Sequence, residues 1–469
     1  MRTEVKRGRT DIDMTSGSIT RHLIVFAIPL LLGNLFQMLY NTVDTWVVGN
    51  FVSTAAFSAV GTLASVTNLM IGFFIGLTSG AGVVISQFFG SGRYDKVRDT
   101  VGTSVVMTVV LCVVFTALGL LLIPLFLLIL DMPDDVAVEA TTYLSIWFSG
   151  ISGLMIYNMG ASILRAVGDS RRPFVFLIVS ALTNTVLDLA FVLWLGMGVA
   201  GVALATIIAQ GISAVLVVIT LIRTDSCVKL SLGSVRLDKE ILGRIIKVGI
   251  PAALQMAITS FSNMFVQSYI NYFDKGAMGG WTAYTKIDQV ILLPMQSLGL
   301  ASTTFVGQNL GCGQLKRAEK GADTAFVMSL ISTALLIVPV IIFSGPLVTF
   351  FNSDPIVYDF GVMFLRFLTP FYLFWCANQI YSGALRGAGN SLVPMIIMLG
   401  SFVVFRQVYL YIMANFISNT ILPIVMAFPA GWVLAAVITY IYYRAKGLSR
   451  GVRVSDEKKD VADKESAEG

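Results

Sequence analysis

Long runs of apolar residues, with little helical or strand alternation, fill most of this 469-residue chain. A helix crossing the hydrocarbon of a bilayer needs about 20 mostly apolar residues. By that measure the pattern predicts spans at 20–47, 55–86, 98–123, 136–163, 172–194, 200–222, 242–272, 279–307, 322–344, 356–383, 393–414 and 420–443. Several exceed a minimal crossing, which predicts tilt or extension beyond the hydrocarbon. The opening residues to Thr20 are polar and lack the short apolar core and cleavage site of a signal peptide, so the run from Leu23 is read as a first spanning helix. The fold class predicted is all-α integral membrane, with twelve transmembrane helices.

The basic residues orient these spans. Arg93, Lys96 and Arg98 follow the second, Arg171 and Arg172 the fourth, and a set from Arg223 to Lys247 surrounds the loop after the sixth. Lys316, Arg317 and Lys320 follow the eighth, Arg386 the tenth, and Arg444, Lys446 and Arg450 the twelfth. The alternate loops hold almost none; Lys275 is the exception, and Asp131, Asp134 and Asp135 make one of them acidic. Basic loops stay cytoplasmic, so both termini are predicted inside a multi-pass cell (inner or plasma) membrane protein.

The chain also resembles itself at a shift of 221 residues. Gln87, Gly90 and Gly92 match Gln308, Gly311 and Gly313, and Leu164, Arg165, Gly168, Ser170 and Pro173 match Leu385, Arg386, Gly389, Ser391 and Pro394. Near the start of each half the shift is one longer, with Pro29 against Pro251 and Asn41 against Asn263. Each half holds an even six spans, so the copies enter the membrane from the same side as parallel repeats. The predicted organisation is a cytoplasmic segment 1–19, an N-lobe 20–222, a linker 223–241, a C-lobe 242–443 and a charged, disordered tail 444–469. The repeated loops read as helix punctuation, with glycine ending one helix, serine capping the next and proline in its first turn.

Composition narrows the class further. Hydrophobic residues make up 56% and charged residues 13% of the chain, against roughly 25% charged in soluble proteins. Such a surface faces lipid. The lone His22 and four scattered cysteines argue against a zinc site or disulfide framework. No phosphate-binding glycine motif for ATP occurs, so no cofactor is expected, nor a nucleic-acid partner. Neither does an enzyme fit: a prenyl-transfer protein would need paired acids on the cytoplasmic side, and the acidic loop lies outside.

Acids inside a span cost roughly 2.5–3.5 kcal/mol on insertion scales and need a reason to be there. Gln37, Asn41 and Asp44 share one face of the first span, and Asn184 and Asp188 one face of the fifth. By depth, Asp44, Asn184, Asp188 and Thr206 fall together in the outer half of the first lobe. Two carboxylates, an amide and a hydroxyl suit Na⁺ or H⁺; a hydrogen-bonded structural network is the alternative reading. Pro29, below this stripe, is either a coupling kink or a packing kink. In the second lobe, Gln255, Thr259, Asn263, Gln267 and Asn271 form a polar stripe without an acid. Lys286, Asp288, Arg366 and Arg406 are embedded charges, for which mutual pairing of Asp288 with Arg366 or Arg406 is the simplest account and anion binding the sharper one. Trp375 is a candidate cavity residue.

These residues resemble the MATE family, multidrug and toxic compound extrusion. The likeness rests on IPLLLGNLFQMLYNTVDTWVVG in the first span, VGQNLGCGQLKRA after the eighth, both LRxxGxS loops, and NTVLD followed by GVAGVALAT. The resemblance implies two six-helix bundles facing each other in a V and export of amphipathic, often cationic, compounds against inward Na⁺ or H⁺. It implies a cation site at Asp44, Asn184, Asp188 and Thr206, as in the DinF-like branch, and a drug-chamber position at Gln37. Asn41, Asn263, Gln267 and Trp375 are the further expected cavity residues. The second lobe departs from the NorM-like branch, which places carboxylates on the seventh and tenth spans. The expected partners are the bilayer, small organic substrates and a coupling ion, with the protein a monomer. A flippase for lipid-linked or anionic substrates is the alternative, favoured by Lys286, Arg366 and Arg406.

Overall fold

A computed structural model describes residues 11–449, apart from Ser53, Asp131, Leu232, Ser234, Asp274 and Asn419. The first ten residues and the tail after Ser449, whose disorder was expected, lie outside the described residues. The chain is an all-α membrane protein. Eleven helical stretches among the described residues are long and apolar enough to cross a membrane. The remaining expected span, the fourth, is a 33-residue helix, Asp134–Ala166. It falls short on apolar content because serines, Asn158 and Gly150, Gly153 and Gly160 dilute it. Those glycines explain why it need not be apolar. A side chain at Gly153 would meet backbone of Gly211 at 3.0 Å, and one at Gly160 would press on Val217. The helix faces protein, and small residues let neighbouring backbones approach.

In chain order the helices are α1 (Ile19–Phe51), α2 (Thr54–Gly90), α3 (Tyr94–Leu121), the short α4 (Ile123–Ile129), α5 (Asp134–Ala166), α6 (Arg171–Leu189) and α7 (Gly198–Arg223). The second half follows with α8 (Lys239–Asn271), α9 (Lys275–Gly311), α10 (Leu315–Ile342), α11 (Ser344–Phe351), α12 (Pro355–Leu368) and α13 (Tyr372–Gly387). It closes with α14 (Leu392–Met398), α15 (Arg406–Ile412), α16 (Ile421–Val425) and α17 (Ala427–Lys446). Wider π-helical turns at Ala190–Trp194, Leu399–Phe405 and Met413–Ile417 interrupt the spans that begin with α6 and α14.

Packing divides the chain into two units. The first holds Leu32–Gly249 with residues up to Asp13, and the second holds Met14–Leu31 with Ile250 onward. Two helices therefore change unit part-way, α1 after Leu31 and α8 after Gly249. Each carries a proline beside that point, Pro29 and Pro251. In the first unit α5 is central, packed on α2, α3 and α7, with Leu144, Trp147, Phe148 and Ile151 in its core. In the second unit α9 is central, against α10, α12 and α13. There Trp281, Phe364, Tyr372, Phe402, Phe428 and Trp432 form an aromatic core. Gly383 sits against Gly299, and Thr303 donates to the carbonyls of both, at 2.9 and 3.0 Å.

The repeated loops have a definite geometry. Gly168 and Gly389 end α5 and α13 with φ of 89° and 84°. The N–H of the next residue reaches back five residues, from Asp169 to Leu164 at 3.1 Å and from Asn390 to Leu385 at 2.9 Å, which closes a Schellman turn. The caps of α6 and α14 are not the serines expected. Ser170 and Ser391 make no capping bond. Instead Asp169 accepts from the Arg172 N–H at 3.1 Å and Asn390 from the Val393 N–H at 3.4 Å. The carboxylate and amide sit one residue earlier, where the turn aims them at the free N–H groups. Asp169 lies outside the spans, and burial holds its carboxyl above the ordinary range.

The second repeated motif anchors the chain ahead of a first helix. Met14 is fully buried. Its N–H donates to Gln308 Oε1 at 2.9 Å, and its carbonyl accepts from Asn309 Nδ2 and Arg317 Nη2, both at 3.2 Å. Gln308→Leu should remove the acceptor from a buried N–H and cost about 1–3 kcal/mol. Limited proteolysis in detergent checks this: cleavage near Met14 should become faster, and an unchanged rate would mean the anchor carries no weight.

Candidate functional site

In the first unit the polar residues of three helices converge. α1 brings Gln37 and Asp44, α6 brings Asn184 and Asp188 one turn apart, and α5 brings Tyr143. Asp188 is fully buried and Asn184 nearly so. The two carboxyl groups lie close enough to interact electrostatically. Tyr40 and Tyr143 lie within electrostatic range of both carboxyl groups. Both Asp188 oxygens, Asp44 Oδ1 and both polar atoms of the Asn184 amide are buried without a hydrogen-bond partner among the described residues.

That is a concentration of unmet bonding capacity. A buried polar atom left unsatisfied costs about 1–3 kcal/mol, more if charged. Native interiors rarely keep such atoms without a strain, a catalytic role, a water or an ion to explain them. Directly after α6, the π-helical turn Ala190–Trp194 begins two residues beyond Asp188, and such bulges occur frequently at functional sites. The arrangement offers hard oxygens that can take a small cation or share a proton.

Thr206 is placed differently from its three expected companions. It lies on α7, which packs on α6, and its hydroxyl donates to the Val202 carbonyl at 3.0 Å. It makes no hydrogen bond to Asp44, Asn184 or Asp188. Asn41 is exposed on α1. Tyr40 and Tyr143 were missed. Tyr40 is legible in retrospect, since it falls on the stripe of Gln37 and Asp44, but nothing near Tyr143 in the sequence links it to α1.

In the second unit the expected pairing of Asp288 with an arginine does not form. Asp288 accepts a hydrogen bond from the Tyr372 hydroxyl, and Tyr372 and Tyr284 hydroxyls lie 2.6 Å apart. Arg366 is exposed and donates through Nε to Ser344 at 3.1 Å. Lys286 is exposed. Arg406 is fully buried, and Nη1 donates to Ser262 Oγ and Asn263 Oδ1, both at 3.1 Å. Its guanidinium carbon lies 4.1 Å from the centre of the Phe402 ring and 4.8 Å from that of Phe428. Aromatic faces stabilise a desolvated guanidinium by about 2 kcal/mol or more, so the charge is held without a carboxylate. Gly431 makes room, since a side chain there would come within 3.2 Å of Nε.

The expected cavity residues of this unit divide. Asn263 is exposed and tied to Arg406, while Gln267 donates to Asn271 at 2.8 Å. Trp375 is packed in the aromatic core, its ring 5.5 Å from Phe402 and 6.3 Å from Trp432.

Comparison with known proteins bears on this site. The family pattern described as MatE matches twice, over residues 29–190 and 251–412. A probable multidrug resistance protein, YpnP of Bacillus subtilis, is 30% identical over 433 residues, 92% of this chain and 96% of that protein. An FAD transporter of Shewanella oneidensis is 24% identical over 76% of this chain and 80% of its own. Among solved structures, a multidrug resistance MATE family transporter of the MOP superfamily in an outward-facing conformation superposes with TM-score 0.89 at 21% identity, covering 95% of this chain and 100% of that one. A MOP superfamily transporter from Pyrococcus furiosus, described as having a binding pocket of reverse polarity, gives the same score and identity, covering 94% and 98%.

The aromatic clamp on Arg406 generates a prediction. Lysine cannot present a planar group to two rings and two acceptors, so Arg406→Lys should lower stability by about 1–3 kcal/mol. Thermal unfolding in detergent reads this as a lower midpoint; an unchanged midpoint would show that the clamp does not hold α15 in place.

Proposed function

The chain belongs to the MatE family of membrane transporters, and from that premise we propose that it exports amphipathic organic compounds, chiefly cations, in exchange for inward Na⁺ or H⁺. It is not an enzyme; its relatives move compounds across membranes. The observation that carries the coupling proposal is the buried pair Asp44 and Asp188 beside the unbonded Asn184 amide. Thr206 on the neighbouring helix is a further oxygen for the ion, since its hydroxyl donates to Val202 but keeps lone pairs free. Substrate contacts are assigned to Gln37 and Asn41 on α1 and to Asn263 and Gln267 on α8. Transport follows alternating access: ion and substrate each stabilise a different state, in proportion to their differential affinity for the two. The protein acts as a monomer in the cell membrane with both termini cytoplasmic, as its basic loops imply.

A second reading has its own support. Exposed Lys286 and Arg366 stand on spanning helices with no carboxylate partner among the described residues, and one relative is named as an FAD transporter. Both favour an anionic or lipid-linked substrate, with the same ion site driving its movement.

Proteoliposomes loaded with ethidium test both. Export should require either a Na⁺ or an H⁺ gradient, and Asp44→Asn and Asp188→Asn should each reduce the coupled rate at least tenfold while eluting as folded protein. Normal transport by Asp188→Asn would remove the site assignment, and no ethidium export under either gradient would favour the anionic reading.

A further inference from the structure

The two units treat the start of their equivalent helices, α3 and α10, in opposite ways. On α3, Asp99 pairs with Arg236 Nη2 at 2.9 Å, and Thr103 accepts from the Asp238 N–H at 3.2 Å and donates to the Arg236 carbonyl at 3.3 Å. The chain's own segment ahead of α8 therefore covers that face. At the repeat shift of 221, Asp95 and Asp99 become Lys316 and Lys320, and Thr103 becomes Thr324. Among the described residues, none ahead of α1 bonds to them. The segment ahead of α1 is held further along, by Gln308, Asn309 and Arg317.

What remains on α10 is an open groove of about 680 Å³, lined by Thr20, Lys316, Glu319, Lys320, Val327 and Met328 among others. Both lysines are exposed, and neither forms an ion pair with a described residue. A further lining acid, Asp323, is engaged by Arg444 at 3.6 Å and by the Tyr381 hydroxyl at 3.1 Å. Glu319 is then the single acid facing two lysines, which leaves one net positive charge. Beyond Thr324 the same face turns apolar: Val327, Ile331, Leu335, Val338 and Ile342 are all more than half exposed, at helical spacing. A singly negative head with a long apolar tail matches both ends of this surface.

We propose that the groove at Lys316 and Lys320 holds the phosphodiester headgroup of an anionic phospholipid, with an acyl chain along the outer face of α10. The lipid comes from the leaflet bordering the basic loops, where lysines near the surface draw anionic lipid.

Full-length protein in detergent, titrated with phosphatidylglycerol, phosphatidylcholine or inorganic phosphate and read by native mass spectrometry, tests this. One phosphatidylglycerol should be retained more tightly than phosphatidylcholine. Lys316→Gln and Lys320→Gln should each weaken it about fivefold, and together roughly 25-fold. Leu335→Asn, beyond the groove and uncharged, with both lysines intact, should weaken the lipid but leave phosphate unaffected. Unchanged retention in the double variant overturns the proposal, as does equal binding of phosphatidylcholine. Inorganic phosphate binding with the same lysine dependence, and no loss of lipid in Leu335→Asn, would assign the groove to a free anion and also overturn it.

Discussion

Hydrocarbon offers no hydrogen bonds, so every polar side chain carried into a spanning helix must find a partner on another helix or be left for a ligand. That constraint sorts the embedded residues of this protein into two groups. Ser262, Asn263, Thr303 and Tyr372 are satisfied within their unit, by a guanidinium, two carbonyls and a carboxylate. Asp44, Asn184 and Asp188 are not, and Nε and Nη2 of Arg406 lie against phenylalanine rings rather than acceptors. Groups of the first kind lock helices together. Groups of the second kind hold a free-energy deficit that binding can relieve, which is the physical basis for assigning them to the coupling ion.

The two halves share their turns but not their interiors. Both end a helix in the same glycine-closed turn and both place a proline where a helix changes packing unit. Inside, the first unit concentrates carboxyl groups, and the second buries a guanidinium between two phenylalanine rings. Such divergence leaves unbonded carboxyl groups in one lobe and a fixed aromatic core in the other. It extends to the surface, where acids on α3 are matched by lysines on α10.

Much of this was legible in the sequence because the signals were one-dimensional. Apolar length predicts spans, charge alternation predicts loops, and the repeated glycines and prolines predict turns. Asp44 and Asp188 stood out because an acid in a span is costly in any fold. Tyr143 was invisible, since its place near Asp44 and Asp188 depends on the tertiary course of α5. The fate of Asp288 was misjudged for a related reason. Charge counting suggests an arginine partner, but Tyr372 lies closer and two aromatic faces already hold Arg406. Helix caps were off by one residue because the Schellman turn, not residue preference, decides which side chain points at the free N–H groups.

The central claim is that the carboxyl pair of α1 and α6 is the ion site, and the most direct measurement is the number of coupling ions bound per polypeptide. Radiolabelled Na⁺ binding and proton uptake after a pH jump, on purified wild type and Asp188→Asn, give that number without relying on transport. The account predicts one Na⁺ or proton bound by the wild type and lost in the variant, with other ionisable groups unaffected. Equal binding by both proteins would contradict it.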